Sequence, residues 1–180
     1  MMVRVKHTHT GGETGRETRG RYRREETMPT TYSGFLGQVQ HRIQADTQAE
    51  AARTTRAVLT TLGERLSEGG ATDVAAPLPM EIDRHLLAVE HGGTFGYDEF
   101  LERVGARMNY EDLDVGETYG RPAPVDRSDV VYRTKAVVAL VSDLVPGGHL
   151  AHTEQQLPEA FDDLFEFVDV ETAPWESEHR

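Results

Sequence analysis

The pattern His149-x-x-His152, followed by Glu154, comes nearest in this sequence to a metal site. Two imidazoles three positions apart share a helix face, and a neighbouring carboxylate could complete a zinc or iron ligand set. The matching positions in an earlier, similar segment are Gly70 and Asp73, which places the pair in a helix-connecting turn where solvated polar side chains are expected. Glu81 and His85, four apart, share a helix face and read as an exposed pair. His7-x-His9 has no third ligand nearby. Asp162, Asp163 and Glu166 form an acidic cluster, read as a hydrated face in so acidic a chain. Glu111, Asp112, Asp114 and Glu117 resemble a calcium loop in composition but lack the ligand spacing and terminal glutamate of an EF-hand. The glycine pairs Gly92-Gly93 and Gly147-Gly148 end helical patterns instead of following strands, so they make no phosphate loop. Ser33, Ser67, Ser128, Ser142 and Ser177 lie in no nucleophile motif. No catalytic, cofactor-binding or metal-ligating residue is assigned on these grounds, and no cofactor is expected.

Charge narrows the partners. Residues 1–28 carry seven basic and four acidic side chains, a net of +3, and the remaining chain carries 12 basic and 27 acidic, a net of −15. Only Lys6 and Lys135 are lysines among the 19 basic residues. High coding GC content explains the arginine but not the acidity, so adaptation to high salt is the preferred reading. A body of this charge should repel nucleic acid phosphates. Its self-repulsion should be relieved near 1 M salt, where the screening length falls to about 3 Å. The melting temperature is therefore expected to rise from dilute buffer to molar potassium chloride, as read by circular dichroism. A flat or falling series would contradict the halophilic reading.

The chain has no cysteine, which removes disulfides and thiolate sites together. No apolar run reaches the roughly 18 residues of a membrane span, and no signal peptide is evident. A cytoplasmic protein is expected.

The elements that carry these residues repeat. Tyr32, Phe35, Leu36, Val39 and Arg42 recur, with identical spacing, as Tyr97, Phe100, Leu101, Val104 and Arg107. Thr55, Ala57, Val58, Gly69, Leu78 and Pro79 recur in the same way as Thr134, Ala136, Val137, Gly148, Leu157 and Pro158. Ordered matches at apolar and turn positions are the mark of a duplicated unit. The second set is offset further than the first, which marks an insertion in the second copy at about 109–125.

The expected fold is all-α: a tandem duplication of a three-to-four-helix unit packed as one compact helical domain. Residues 1–28, with no apolar periodicity, form a disordered basic tail, and Met28 before the first helix is an alternative start. Repeat 1 spans 29–93, repeat 2 spans 94–171, and 172–180 is a frayed end. The first helix covers about 31–44, and Asp46 or Thr47 caps the second, with Thr47-x-x-Glu50 fitting a capping box. Gly69-Gly70 ends that helix. A short turn near 72–76 leads to Leu78-Pro79, with the proline at the first helical position of a helix carrying Ile82, Leu86 and Val89. In repeat 2, Asp126 or Ser128 caps a long apolar helix placed centrally. Pro146-Gly147-Gly148 stops it, and a last helix follows Leu157-Pro158 with Phe161, Leu164, Phe165 and Val168.

The motif AVLTTLGERLSEGGATDVAAPLP, together with YDEFLERVGARM, resembles the domain of unknown function 2267 family over about residues 30–168. That family joins a Tyr/Phe-Leu first helix to an Ala-Val-Leu second helix, and a Leu-Pro opens its last helix. The resemblance implies an all-α fold with two repeats and carries over no catalytic residue. The insertion in the second copy departs from its pattern.

Two classes of function follow. The first is a non-catalytic protein-interaction module, with an unidentified protein partner or a second copy of the chain in a homo-oligomer. The alternative is a small-ligand or metal-binding protein, an enzyme included, with its site between the repeats. Nucleic acid contact through the patch Arg19, Arg21, Arg23 and Arg24 around Tyr22 is a weaker third, and no membrane partner is expected.

Overall fold

Thr31 begins the ordered helical pattern by capping it. Its backbone is extended and its hydroxyl accepts the Gly34 N–H, which satisfies a first-turn donor of helix α1, Tyr32–Ile43. The computed structural model describes residues 31–110, 124–145 and 147–166, with the backbone alone over 147–150. Helices follow in the order α2 (Gln48–Arg65), α3 (Glu68–Ala75), α4 (Met80–Leu87), α5 (Tyr97–Met108), α6 (Arg127–Leu144) and α7 (Gly147–Gln155). A 3-10 helix, Glu159–Phe165, comes last. Every described element is helical.

The burial pattern explains why these segments fold where they do. Phe35, Leu36, Val39 and Ile43 form the inner stripe of α1, and Phe100, Leu101, Val104 and Met108 form that of α5. Both stripes use the i, i+1, i+4, i+8 spacing of one helix face. The two 18-residue helices α2 and α6 bury much more of their circumference and act as the twin axes of the core. Thr55 and Thr134 lie fully buried on these axes, and each hydroxyl donates to the carbonyl four residues back, Ala51 and Val130. That internal bond lets a threonine occupy a dry position without an orphaned oxygen. Helix α6 packs on α1, α5, α2 and the 3-10 helix, in line with the central position read from its apolar run.

The halves interlock. Helix α1 packs on α6, while α5 packs on α2. Arg42 of α1 pairs with Asp143 of α6 at 2.7 Å, and Arg107 of α5 pairs with Glu64 of α2 at 2.5 Å. The two ion pairs occupy corresponding places. Arg42 matches Arg107 in the first set of recurring residues, and Glu64 matches Asp143 by the same offset that relates Leu78 to Leu157.

Several boundaries differ from expectation. Thr47 is the N-cap of α2 and accepts the Glu50 N–H, whereas the Glu50 carboxylate reaches Arg133 at 2.8 Å. Gly69-Gly70 does not end α2. The chain turns extended at Leu66, Ser67 accepts the Gly70 N–H, and both glycines fall in the first turn of α3. A serine cap outweighs two glycines here because it satisfies a donor that glycine cannot reach. Gly147-Gly148 likewise open α7 and do not close α6. Pro79 is the N-cap of α4, one position earlier than expected, and Val89 lies beyond that helix. Asp126 precedes α6 without a side-chain cap bond. The final helix is 3-10, and it buries Phe161 and Leu164. The expected tail, most of the insertion, Pro146, Val168 and the C-terminal end lie outside the described residues.

Candidate anion-binding cleft

Ala49, Ala52, Arg53 and Arg56 share one stripe of α2 by their 3-4 spacing, and this stripe faces α4 and the start of α1. Together these elements enclose a cleft of about 540 Å³. Leu36 of α1 and Ile82 of α4 form an apolar floor, both at most 2 % exposed. Tyr32, 40 % exposed, and Tyr110, just past the end of α5, border it with aromatic rings. Helix α4 adds Glu81, Arg84 and His85.

Three guanidinium groups thus line one cleft of a chain with 31 acidic and 19 basic residues. Arg53 lies over the Tyr110 ring, 5.6 Å from its centroid, and its Nε is buried without a hydrogen-bond partner among the described residues. Neither Arg53 nor Arg84 forms an ion pair among the described residues. Burial and the positive charges of Arg84 and Arg56 hold the His85 imidazole below its ordinary 6.5, which favours its neutral form.

A second cleft, about 490 Å³, lies beneath the strap 90–95 and is charged in a different way. Arg103 donates to Glu99 and Glu64, and Arg107 donates to Glu64 and to the Thr61 hydroxyl. Arg65 donates to the carbonyls of Phe95 and Gly93 at 2.9 and 2.8 Å, and His91 Nδ1 lies 2.8 Å from the Gly63 carbonyl oxygen. The Arg103 guanidinium also stacks 3.9 Å from the Phe95 ring centroid. Arg65, His91 and Arg103 fasten the strap to α2 and α5, while Arg107 and Glu64 join those two helices, so this cleft is a clasp.

The residues singled out by spacing fare unequally. His152 is exposed on α7, a helix where a turn was expected, and Glu154 is half-buried on the same helix. The His149 side chain, His7, His9 and the acidic insertion residues Glu111, Asp112, Asp114 and Glu117 lie outside the described residues. Among the described residues no group of three histidine or acidic side chains is gathered for a metal ion. Asp163 accepts from Lys135 Nζ at 2.9 Å and from the Tyr97 hydroxyl at 2.8 Å. Those donors hold its carboxyl below the usual range, while burial and the bond to Asp163 push the Tyr97 phenol up. Asp163 therefore ties the 3-10 helix to α5 and α6, and Asp162 and Glu166 stay exposed. Ser67 and Ser142 hydroxyls serve backbone geometry, as a cap and as a donor to the Ala139 carbonyl.

Glu81 and His85 do share a helix face, but His85 is half-buried in the arginine-lined cleft and is not an exposed pair member. Arg53, Arg56 and Arg84 were not singled out by sequence reasoning. The available signal was the stripe Ala49, Ala52, Arg53, Arg56, where small and basic residues interrupt a helix otherwise rich in buried side chains.

The fold and cleft define an all-helical protein with a basic pocket set into an acidic body. Residues 32–164 match the uncharacterized conserved protein family DUF2267, and the chain belongs to that family. No curated protein matches it. Among the described residues no helix is long and apolar enough to cross a membrane.

Proposed function

We propose that the chain is a non-catalytic binding protein that takes a small anionic ligand in the α1–α2–α4 cleft. The observation that carries this reading is Arg53, half-buried over Tyr110 with no ion-pair partner among the described residues, beside the apolar floor and with the exposed Arg84 at the same cleft. A partly desolvated cation such as Arg53 lacks hydration that an opposite charge can replace, and a bound anion supplies it through charge-assisted hydrogen bonds. The cleft volume lies within the range of small-molecule sites, roughly 300–1,000 Å³, which favours a small ligand over an extended protein surface. Tyr110 brings the end of α5 to a pocket built mainly from the first half. The reciprocal pairs Arg42–Asp143 and Arg107–Glu64 support a duplicated unit in which the first helix of each copy also reaches the long helix of the other.

The test is a titration of 8-anilinonaphthalene-1-sulfonate, an apolar anion, into the full chain. Saturable one-to-one fluorescence enhancement is expected, lost in the double variant Arg53→Gln/Arg84→Gln while its melting curve stays unchanged. Equal affinity in wild type and double variant would sink the reading.

The pH dependence has a definite sign. His85 faces Arg84 and Glu81 on its own helix and Arg56 across from α2. In the empty cleft its folded pKa is depressed, so the unfolded chain takes the proton first. His85 accordingly costs stability as pH falls through 6.5 toward the folded value. An anion beside the ring favours imidazolium, so ligand binding should take up a proton and tighten as pH falls from neutral. Nuclear magnetic resonance titration of His85 should give a pKa below 6.5 that moves up when the dye binds. An immobile or elevated value in the free protein would contradict the arrangement.

A further inference from the structure

We infer that the outer face of α4 is a self-association surface, on which two copies of this chain pair their α4 helices antiparallel about a two-fold axis. Among the described residues three large apolar side chains stay exposed: Met80 at 79 %, Leu87 at 40 % and Tyr32. Two of the three lie on α4, a helix of eight residues. Ile82 and Leu86 bury its inner face in the core. Met80, Asp83, Arg84 and Leu87 follow the i, i+3, i+4, i+7 spacing of one helix stripe, distinct from that inner face. A stripe with apolar side chains at both ends and charges between them has the pattern of a helix that packs on another helix.

Self-complementarity identifies the occupant. A two-fold axis requires every contact to occur twice with the residues exchanged. With the axis between positions 83 and 84, antiparallel α4 helices set Met80 against Leu87 of the second copy and Asp83 against its Arg84. The apolar ends meet each other, and opposite charges meet at the centre. Neither Asp83 nor Arg84 has an ion-pair partner among the described residues. A parallel pairing would set Arg84 against Arg84 and Asp83 against Asp83. An unrelated acidic partner would answer Arg84 but repel Asp83, and a basic one would do the reverse. Met80, Asp83 and Leu87 do not line the anion cleft, and Arg84 stands where the two surfaces meet. The helix is about 12 Å long at 1.5 Å per residue. That is too short to bury the roughly 800 Å² per partner of a standard interface, so the association is weak and depends on concentration. The net −12 of each copy opposes the encounter, and molar salt screens this long-range repulsion more than the contact pairs.

Sedimentation equilibrium of the full chain in molar potassium chloride, from roughly 10 μM to 1 mM, covers the affinities of weak interfaces. Reversible monomer–dimer behaviour is expected. Asp83→Arg sets arginine against Arg84 at both symmetry-related contacts and should weaken the dimer at least about tenfold. Reversing both charges, Asp83→Arg with Arg84→Asp, restores each pair and should return the affinity to within about threefold of wild type. Met80→Glu, on a side chain already in water, should weaken the dimer as Asp83→Arg does. Melting curves of each variant, taken dilute enough for the monomer, are expected to match wild type. A wild type that stays monomeric across the whole range would overturn the surface. A dimer indifferent to Met80→Glu would place the contact elsewhere and overturn it too. Weakening by Asp83→Arg with no recovery in the double variant would overturn the antiparallel pairing.

Discussion

Leu78→Ala and Leu157→Ala are each expected to cost roughly 2–5 kcal/mol, the range for truncating a buried leucine. Leu78 is 7 % exposed and Leu157 is 8 % exposed, although both sit at corners between helices. Each corner is built the same way. The leucine N–H donates to the carbonyl three residues back, Ala75 or Glu154. The proline that follows is extended, with ψ of 146° at Pro79 and 156° at Pro158. Its carbonyl then accepts, at 2.9 Å in both cases, the N–H of a buried residue three positions on, Ile82 or Phe161. Proline disfavours a helical residue before it, so the leucine leaves the helix path and its side chain turns under the core. Denaturant titration of both variants checks the expectation. If either melts like the wild type, the corners are not equivalent joints.

Gly63→Ala should be the most damaging single methyl that can be added to α2. A Cβ there would strike the backbone carbonyl oxygen of Leu86, where α4 crosses α2 without intervening side-chain atoms. Backbone cannot swing aside as a flexible side chain can, so the helices must separate and Leu86, fully buried, must lift from its packing. Such overpacking costs about 1–3 kcal/mol and more where backbone is displaced, and about 3 kcal/mol is expected here. Gly37→Ala on α1 is the control, because no atom lies within 4 Å of the added carbon. It should stabilise by about 0.5–1 kcal/mol through helix propensity. Thermal or chemical melting compares the pair, and equal behaviour of the two variants would contradict the close crossing. Position 142, which follows 63 by the offset that relates Leu78 to Leu157, holds a serine whose hydroxyl bonds within α6. The close crossing therefore belongs to the first half, and the clasp from His91 to the Gly63 carbonyl sits beside it.

The helical periodicities were legible because burial of one face is a local, repetitive demand. Phe35, Leu36 and Val39, and their recurring counterparts Phe100, Leu101 and Val104, are all buried in the structure. Boundaries near glycine pairs were not legible. Whether Gly69-Gly70 stops one helix or begins another depends on the Ser67 side chain reaching the Gly70 N–H. That bond exists only once Leu66 has turned out of α2. The 3-10 winding after Pro158 was invisible for a similar reason, since Phe161 meets Phe100 and Tyr97 edge-on and Asp163 is tied to Lys135.

The amino-acid sequence by itself determined the class of fold, the family resemblance, the helix stripes and the two leucine–proline corners. All of these follow from spacing along one chain and from the fixed stereochemistry of proline. Tertiary structure alone decided which charges are answered. Arg103, Arg107 and Arg53 look alike in sequence, each an arginine on an amphipathic helix. Packing gives the first two Glu64 as a shared partner and sets the third over Tyr110 with its Nε unsatisfied. The difference arises because α5 lies against α2 on the side that carries Glu64, while Arg53 faces a cleft floored by Leu36 and Ile82. An ion pair depends on a partner far away along the chain, and only the crossing of helices brings that partner within reach.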